Sequence, residues 1–531
     1  MLRLAPSFVA LAALSLVAAQ NSTIPILVPD DAKALSQNLL GFSLEQDRWP
    51  DWAGVQSRNE FTHNALLNYG SLTGKPTKIR VGANSEDHTV WSPTETVNTD
   101  VFPPPNSITP YPEATQITVG DGYYSLSRFL PRGTHMTWGI NFGADNATNA
   151  LNMAVSILKA FGSVAVQRAG VVLDLLEIGN EADLYKNNGL RPSNYSVNEY
   201  VADWINISTP VAQAIQSHPL SAGPVAIQGA SFAGQGFTPR QLFSLGLFNS
   251  TPGKLVTVIS QHRYSAAFCS GGDFALSSFM RKANVRGNLT VFRDDIEASL
   301  ENGYQYILGE TGSIACHGAP GVSNTAGAAL WVIDYTLQAA TQDISEVFFH
   351  EGIGFKYNFI QPITLNRSTI DGSPLDPPQP PHIQPSYYAG LFINTLIGTS
   401  GRAQIYELTV WDDNVSGYAV YEAGILVRAA FINLDAWLIS STGVRPSVHI
   451  NPVLFLSQDD SAQANAASWA HRKANARRII INHADDVSNL TWAGQSFETD
   501  DVRPRGAPVV EKVDLSKGFD LRSTEAILLS F

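Results

Sequence analysis

The pattern that most constrains this chain is an alternation. Between residues 38 and 360, eight short apolar runs recur: "NLLGFSLE" (38–45), "TKIRVGAN" (77–84), "HMTWGINF" (135–142), "LDLLEIGN" (173–180), "PVAIQGAS" (224–231), "LVTVISQHRY" (255–264), "YQYILGET" (304–311) and "SEVFFHEG" (345–352). Between several of them lie stretches with apolar residues three and four apart, such as "ATNALNMAVSILKAFG" (147–162) and "NTAGAALWVIDYTLQAA" (324–340). Eight strands, each followed by a helix, predict a (β/α)8 barrel rather than a doubly wound sheet. "PSYYAGLFINTLIG" (385–398), opening on a proline, supplies the eighth helix. The stretch "STIDGSPLDPPQPPHIQP" (368–385) then becomes a long loop after the eighth strand rather than an interdomain linker.

From about residue 400 the character changes. "AQIYELTVW", "SGYAVYEAG", "ILVRAAFINL", "SVHINPVLFL", "ARRIIINHA" and "TEAILLSF" are short strand-like runs with turns between them and no helix of length. They predict an all-β sandwich over residues 400–531, following a catalytic-size barrel over 38–399. Residues 20–37 contain "TIPILVP", which has no place in the barrel and is expected to pair with the sandwich.

Residues 1–19 have the layout of a secretory signal: Arg3, then an apolar middle, then small residues with cleavage near Ala19 or Gln20. No later stretch is apolar for long enough to span a bilayer, so a secreted, extracellular protein without a membrane anchor is expected. Nine Asn-x-Ser/Thr sequons, at Asn21, Asn146, Asn194, Asn206, Asn249, Asn288, Asn366, Asn414 and Asn489, agree with a glycoprotein. The two cysteines exclude a disulfide-built scaffold. Cys269 lies just past the sixth strand and Cys316 just past the seventh, so they could bridge neighbouring loops, two free thiols being the alternative. The formal charge of −13 argues against nucleic acid and anionic membranes as partners, because the long-range field repels both. A monomer is expected.

In barrel enzymes the reacting groups sit at the C-terminal ends of the strands. That rule turns the strands into candidates: Arg80 and Asn84 on the second, Asn141 on the third, Asn180-Glu181 on the fourth, His262 and Tyr264 on the sixth, Glu310 on the seventh, and His350-Glu351 on the eighth. Two carboxylates facing each other across the mouth at about 5 Å are what a retaining glycosidase needs. One attacks the anomeric carbon; the other protonates the leaving oxygen and then activates water. The chemistry needs no cofactor, and His350-Glu351 has no third residue at metal-ligand spacing. Glu177 shares its side of the strand with Glu181 but lies deeper, so it is expected to be a buried structural carboxylate with Arg80 as a candidate partner.

"EIGNEADLY", followed 129 residues later by "ILGETGS", resembles the clan A retaining glycosidases, and within them glycoside hydrolase family 79. "IRVGANSED" is similar to that family's second-strand signature, Arg-x-Gly-Gly, with Ala83 in place of the second glycine, and "VFFHEGIGFKYN" is similar to its eighth-strand loop. The resemblance implies that Glu181 is the acid/base, Glu310 the nucleophile and Asn180 a donor to the sugar's 2-hydroxyl. It further implies that Tyr264 holds the nucleophile and that Arg80 favours its ionised form. His262 reads equally as a core histidine or one touching substrate.

The family's glucuronide substrates carry a carboxylate of their own, for which the eighth-strand loop offers the Gly354 amide, Lys356 and the Tyr357 hydroxyl. Glu45, Asp47 and Asn141 are further candidates for sugar hydroxyls, Asp183 for a cap or a substrate contact, and Trp49, Trp52 and Trp91 for stacking on sugar faces. The resemblance implies an exo-acting β-glucuronidase releasing glucuronic acid, or its 4-O-methyl ether, from an oligo- or polysaccharide. The long segments 91–120 and 358–384 would wall off its pocket. The alternatives are a clan A enzyme acting on a neutral sugar (β-glucosidase or β-xylosidase type), an endo-acting heparanase-like enzyme, and a non-catalytic carbohydrate-binding protein.

Overall fold

The computed structural model describes residues 19–234, 236–455 and 473–531. The signal segment therefore lies, apart from Ala19, outside the described residues. Eight parallel strands close into a barrel in chain order: Leu40–Glu45, Ile79–Gly82, His135–Ile140, Val172–Ile178, Ala226–Phe232, Val256–Ala267, Gln305–Ala315 and Val347–Glu351. Closure is made by the eighth strand on the first, Val347 pairing with Leu40 and Glu351 with Leu44. Helices follow where the three-and-four spacing predicts them, and polar side chains start them. Asn146 accepts the Thr148 and Asn149 amides at the head of Ala147–Gly162, and Ser196 with Glu199 forms a capping box for Val197–Ser217.

The sixth and seventh strands run further than the sequence pattern suggested. Past the barrel rim they continue as a two-stranded ribbon, pairing Tyr264 with Gly312 and Ala267 with Ala315. A disulfide between Cys269 and Cys316 closes its tip. Of the two long segments, residues 89–119 form a small sheet of Thr89–Trp91, Gln116–Val119 and Asn98–Val101. The proline-rich stretch read as a loop contains a strand, Pro374–Gln379, paired with Leu365–Arg367. It is an edge strand, and an edge tolerates prolines because its outward N–H groups have no ladder partner to lose.

The C-terminal region is two layers. The larger sheet holds Gln404–Leu408, Val415–Glu422, Ile425–Asn433, Glu525–Ser530 and Lys473–Ile480 as neighbours in that order. The smaller holds Ala19–Pro25, Ser447–Phe455 and Phe519–Arg522. Along Ile425–Asn433, Ala429 and Phe431 face the smaller sheet, where Phe431 meets Phe519 with ring centroids 5.5 Å apart. Ala430 and Ile432 face the barrel instead. Both faces are dry, which is why this run reads as continuously apolar rather than alternating.

The barrel side of that junction is made by helices Ala326–Ala340 and Ser386–Ile397, whose residues are almost all buried. Its polar centre is Arg286, which donates to Asp334 at 2.5 Å and to Glu407 at 2.7 Å, while the Tyr418 hydroxyl donates to Asp334 at 2.6 Å. No helix of the described residues is long and apolar enough to cross a membrane.

Candidate active site

The fourth strand ends in a backbone that only certain residues can follow. Gly179 has φ +85°, and a Cβ there would stand 2.6 Å from the Phe142 side chain. Glu181 itself is left-handed, at φ +51°, and its amide donates to the Ser231 carbonyl on the neighbouring strand at 2.8 Å. The turn therefore lifts the Glu181 carboxylate out of the dry strand to the barrel mouth. His262 Nδ1 meets it at 3.0 Å.

Across the mouth, Glu310 is held from both sides. The Tyr264 hydroxyl donates to Oε1 at 2.8 Å and Arg80 Nη1 to Oε2 at 2.7 Å. Carboxylate oxygens of Glu181 and Glu310 and a ring nitrogen of His262 all lie within 4.8 Å of one another. That spacing alone would also suit a cation, but Arg80 and His350 already set positive charge against Glu310 and oppose one.

Burial pushes the Glu310 pKa up; the fields of His350, His262 and Arg80, with the Tyr264 hydrogen bond, outweigh it and bring the carboxyl down to about 2. His350 shows the reverse balance. Burial disfavours its charge, yet Glu310 and Glu45 raise it to about 9. Its nitrogens face the Ser43 carbonyl at 3.1 Å and Glu45 Oε1 at 3.2 Å, an arrangement that the doubly protonated ring satisfies.

Arg80 is fully buried beneath the pair. It donates to Glu177 through both Nε, at 2.8 Å, and Nη2, and to Ser43, Glu310 and Asn180 at 2.7, 2.7 and 2.8 Å. The atom of Asn180 that faces it must be the amide oxygen, because a guanidinium cannot accept. The Asn180 NH2 is thereby turned away from Arg80, free to donate. Glu177 is the buried structural partner the sequence pointed to, with Ser231 and Gln228 on its other oxygen.

Ala83, where a glycine is usual, sits at φ +63°, ψ −157°, a backbone region nearly reserved for glycine. Ala83→Gly is expected to raise stability by about 1 kcal/mol, strain relief outweighing the extra freedom of the unfolded chain. A denaturant midpoint that falls instead would mean that the buried Cβ packing dominates.

A cavity of about 550 Å³ opens over the two carboxylates. Asn84, Asn180, Glu45, His262, Tyr264, His350 and Tyr357 reach its wall, as do both cysteines of the disulfide. Other expectations fail because the group is engaged elsewhere or is packed away from the cavity. The Gly354 amide donates to Gln361 Oε1 at 3.0 Å, and Lys356 is fully buried with its ammonium on the Ile108 carbonyl at 3.2 Å. Desolvation lowers the Lys356 pKa to about 8. Asn141 donates to the Thr89 carbonyl and accepts the Ala144 amide, both at 2.8 Å, so it shapes the third strand's end rather than facing sugar.

Asp47 accepts the Ala114 amide at 2.8 Å and Asp183 the Ala233 amide at 3.0 Å. Trp49 and Trp52 are core residues, Trp49 lying edge-on to Trp138 at 5.5 Å, and Trp91 bonds Asp121 away from the cavity. Asn288 is a correction of another kind. Its buried side chain accepts from Arg263 at 3.3 Å and from Tyr335 at 3.4 Å, so a glycan on it is incompatible with this fold. Asn414 is half-buried and donates to Asp435 at 2.7 Å; the other seven sequon asparagines are exposed.

Three groups that shape the site were not singled out by the sequence reading. Asp87 accepts the Phe142 and Gly143 amides at 2.9 and 2.8 Å, the Asn180 amide at 3.3 Å and the Tyr185 hydroxyl at 2.5 Å, tying three strand ends together. Glu113 and His317, 2.8 Å apart, both reach the cavity from long loops. The run Ser85-Glu86-Asp87 just past a strand end was the one available hint for Asp87.

A (β/α)8 barrel with two acidic strand ends meeting at its mouth, followed by a β-sandwich, is the architecture of a clan A glycosidase, and the chain is a glycoside hydrolase. Its residues 417–528 match the glycosyl hydrolase family 79 C-terminal beta domain, so the resemblance carried by the barrel motifs holds in the second domain as well. The chain is 28% identical over 488 residues to a β-glucuronidase of Aspergillus niger, covering 88% of this chain and 85% of the relative. It is 27% identical over 525 residues to a β-glucuronidase of Neurospora crassa, covering 90% and 88%. A 4-O-α-L-rhamnosyl-β-D-glucuronidase from Fusarium oxysporum has the same fold, with TM-score 0.76 at 20% identity over 96% of this chain and all of that one. A family 51 α-L-arabinofuranosidase from Bifidobacterium longum follows, with TM-score 0.58 at 13% identity, covering 96% and 99%.

Proposed function

We propose that this chain is a secreted, exo-acting β-glucuronidase that releases glucuronic acid, or its 4-O-methyl ether, from a glycan with retention of configuration. The observation that carries the reading is the carboxylate pair, its nearest oxygens within 4.8 Å, set in a chain similar along most of its length to two β-glucuronidases. That spacing is too short to seat a water between the carboxylates, as inversion requires, and suits direct attack.

Glu310, ionised and clamped by Tyr264 and Arg80, attacks the anomeric carbon. Glu181 gives its proton to the departing oxygen and, in the second half, takes one from the water that releases the sugar. The Asn180 amide donates to the 2-hydroxyl, a bond that tightens as charge develops. Tyr357 is the member of the eighth-strand loop that reaches the cavity and would donate to the sugar's carboxylate, and Glu45, which already accepts from Ser85 and His350, lines the same cavity and would accept from a hydroxyl through a remaining lone pair. The cavity's volume and the Glu113 wall contributed by the loop after the second strand favour a pocket over an open groove. The seven exposed sequons support a secreted glycoprotein.

A panel of aryl β-glycosides, with product stereochemistry followed by NMR, tests the reading. Turnover of the glucuronide with retention, and little of the glucoside or xyloside, is expected. Equal turnover of the glucoside would move the substrate to a neutral sugar, and inversion would contradict the mechanism. Tyr357→Phe is expected to raise KM for the aryl glucuronide several-fold with a smaller change in kcat, an effect of losing one hydrogen bond to a charged group.

A further inference from the structure

The ribbon made by the sixth and seventh strands has two faces, and a cavity lies against each. His262 and Tyr264 point to the catalytic face, where they meet Glu181 and Glu310. By the two-residue alternation of a strand, the Arg263 and Ser265 side chains point to the other, while Arg263 and Ala266 border both cavities. There a second cavity of about 410 Å³ is bounded by Arg263 and Ser265, by Phe279 and Asn284 from the segment after the ribbon, and by Trp331.

Arg263 is what makes this cavity distinctive. Its Nε donates to Asn288 Oδ1 at 3.3 Å, and Asn288 is itself fixed, accepting from the Tyr335 hydroxyl and donating to the Tyr264 carbonyl at 3.4 Å each. Among the described residues its two Nη groups donate to nothing, and no carboxylate lies within 4.0 Å of the guanidinium. In a chain of net charge −13, a guanidinium held at one edge and left open at the other is set for a ligand with a planar pair of oxygens.

The rest of the cavity is suited to a sugar. Phe279 is half-buried and offers an apolar face to sugar C–H groups, with Trp331 packed beneath it at 5.0 Å between ring centroids. The Trp331 indole N–H donates to no described residue, and Asn284 and Ser265 stand at the rim. We propose that this cavity is a second binding site, for a carboxylate-bearing sugar unit, on the face of the ribbon opposite the catalytic cavity. Its carboxylate takes the Arg263 fork and its ring lies against Phe279, at the edge where the Trp331 indole N–H opens. The site would hold another acidic unit of the glycan under attack, or of a neighbouring chain. This inference goes beyond the choice of sugar cleaved at Glu310 and does not rest on it.

The test is a titration of the full chain carrying Glu310→Gln, read on tryptophan indole N–H resonances, with the Trp331 signal assigned by its loss in Trp331→Phe. Sodium D-glucuronate is the probe; D-glucose and sodium acetate are the controls. Glucuronate is expected to shift the Trp331 signal saturably at millimolar concentration, with the two controls leaving it in place. The shift should vanish in Arg263→Met and weaken in Asn284→Leu, a change at the exposed rim that keeps the wall of the fold. Silence up to roughly 50 mM, beyond useful affinity, overturns the proposal. So does an equal response to glucose, which marks a neutral-sugar cleft, or to acetate, which marks an adventitious anion site only. Persistence of the shift in Arg263→Met removes the guanidinium's role and the proposal with it. Turnover of the aryl glucuronide by the unsubstituted chain, measured alongside, bears only on the catalytic reading, so the two can fail separately.

Discussion

Glu310→Ala is expected to abolish turnover of every aryl glycoside the protein cleaves, by roughly four orders of magnitude or more, because no other group can form the covalent intermediate. Glu181→Ala should behave differently. With a leaving group acidic enough to depart unprotonated, formation of the intermediate survives and its hydrolysis becomes slow. An initial burst followed by a slow steady state is therefore expected, together with acceleration by azide, which needs no general base. Azide should yield the β-glycosyl azide from Glu181→Ala and the α-anomer, if any product, from Glu310→Ala. The same loss across leaving groups in both variants would show that the two carboxylates do not divide the work in this way. The geometry makes the contrast sharp: Glu310 has a donor on each oxygen, whereas Glu181 is part-exposed to the cavity and, among the described residues, pairs with the His262 side chain alone.

Arg80→Leu is the second large effect. It leaves Glu177 and Glu310 buried without their shared cation, and breaking a buried pair in this way typically costs about 3–5 kcal/mol. It also removes one of the fields that hold Glu310 down. In the unsubstituted protein Glu310 stays ionised to about pH 2, so it does not set the acid limb of kcat/KM. With Arg80 gone its pKa rises, and the acid limb is expected to move upward as the nucleophile begins to protonate within the working range. Tyr264→Phe removes a hydrogen bond of the same sense and should move the limb less, with little loss of fold stability. An unmoved acid limb in both variants would mean that another group governs it.

The same charges set a stability window. The Glu310 pKa in the fold is below its ordinary 4.5, so its stabilisation is complete above that value and is lost as pH falls towards 2. The His350 pKa is above its ordinary 6.5, so its stabilisation is complete below that value and is lost as pH rises through about 9. Both are present together between about pH 4.5 and 6.5, where this pair contributes most.

What was legible in the sequence was what local periodicity encodes. Alternating apolar runs placed all eight strands, and the position of an acid within a run separated Glu177, deep in the barrel, from Glu181 at its rim. Arg80 could be matched to Glu177 because a charge in the middle of a dry strand must find a partner inside the same barrel. The Cys269–Cys316 bridge followed from the adjacency of consecutive strands.

The misses share a cause. Lys356 and Gly354 have the right chemistry for an acid group, but whether a donor is free depends on which carbonyl or amide oxygen the fold brings to it. Ile108 arrives from nearly 250 residues away, and Gln361 folds back onto Gly354 within the same loop. Glu113 and His317 lie in loops without periodicity, so nothing local marks either as a cavity residue. Asn141 and Asn288 failed likewise: amides that satisfy neighbouring backbone and side chains look, in sequence, like amides that face sugar or carry glycans.

The N-terminal strand Ala19–Pro25 runs parallel to Ser447–Phe455, so Ala19 pairs with His449 more than four hundred residues later. The barrel is therefore an insertion between the first strand of the sandwich and the rest of it. On a ribosome the first strand must wait, without its partner, until nearly the whole chain has emerged. A contact of such long sequence separation forms late and slowly. Expression of residues 400–531 alone, or trimming at the N-terminus a few residues past Gln20, would leave the smaller sheet an open edge in place of its parallel strand. The smaller sheet thus depends on residues 19–25 as much as on anything near the C-terminus.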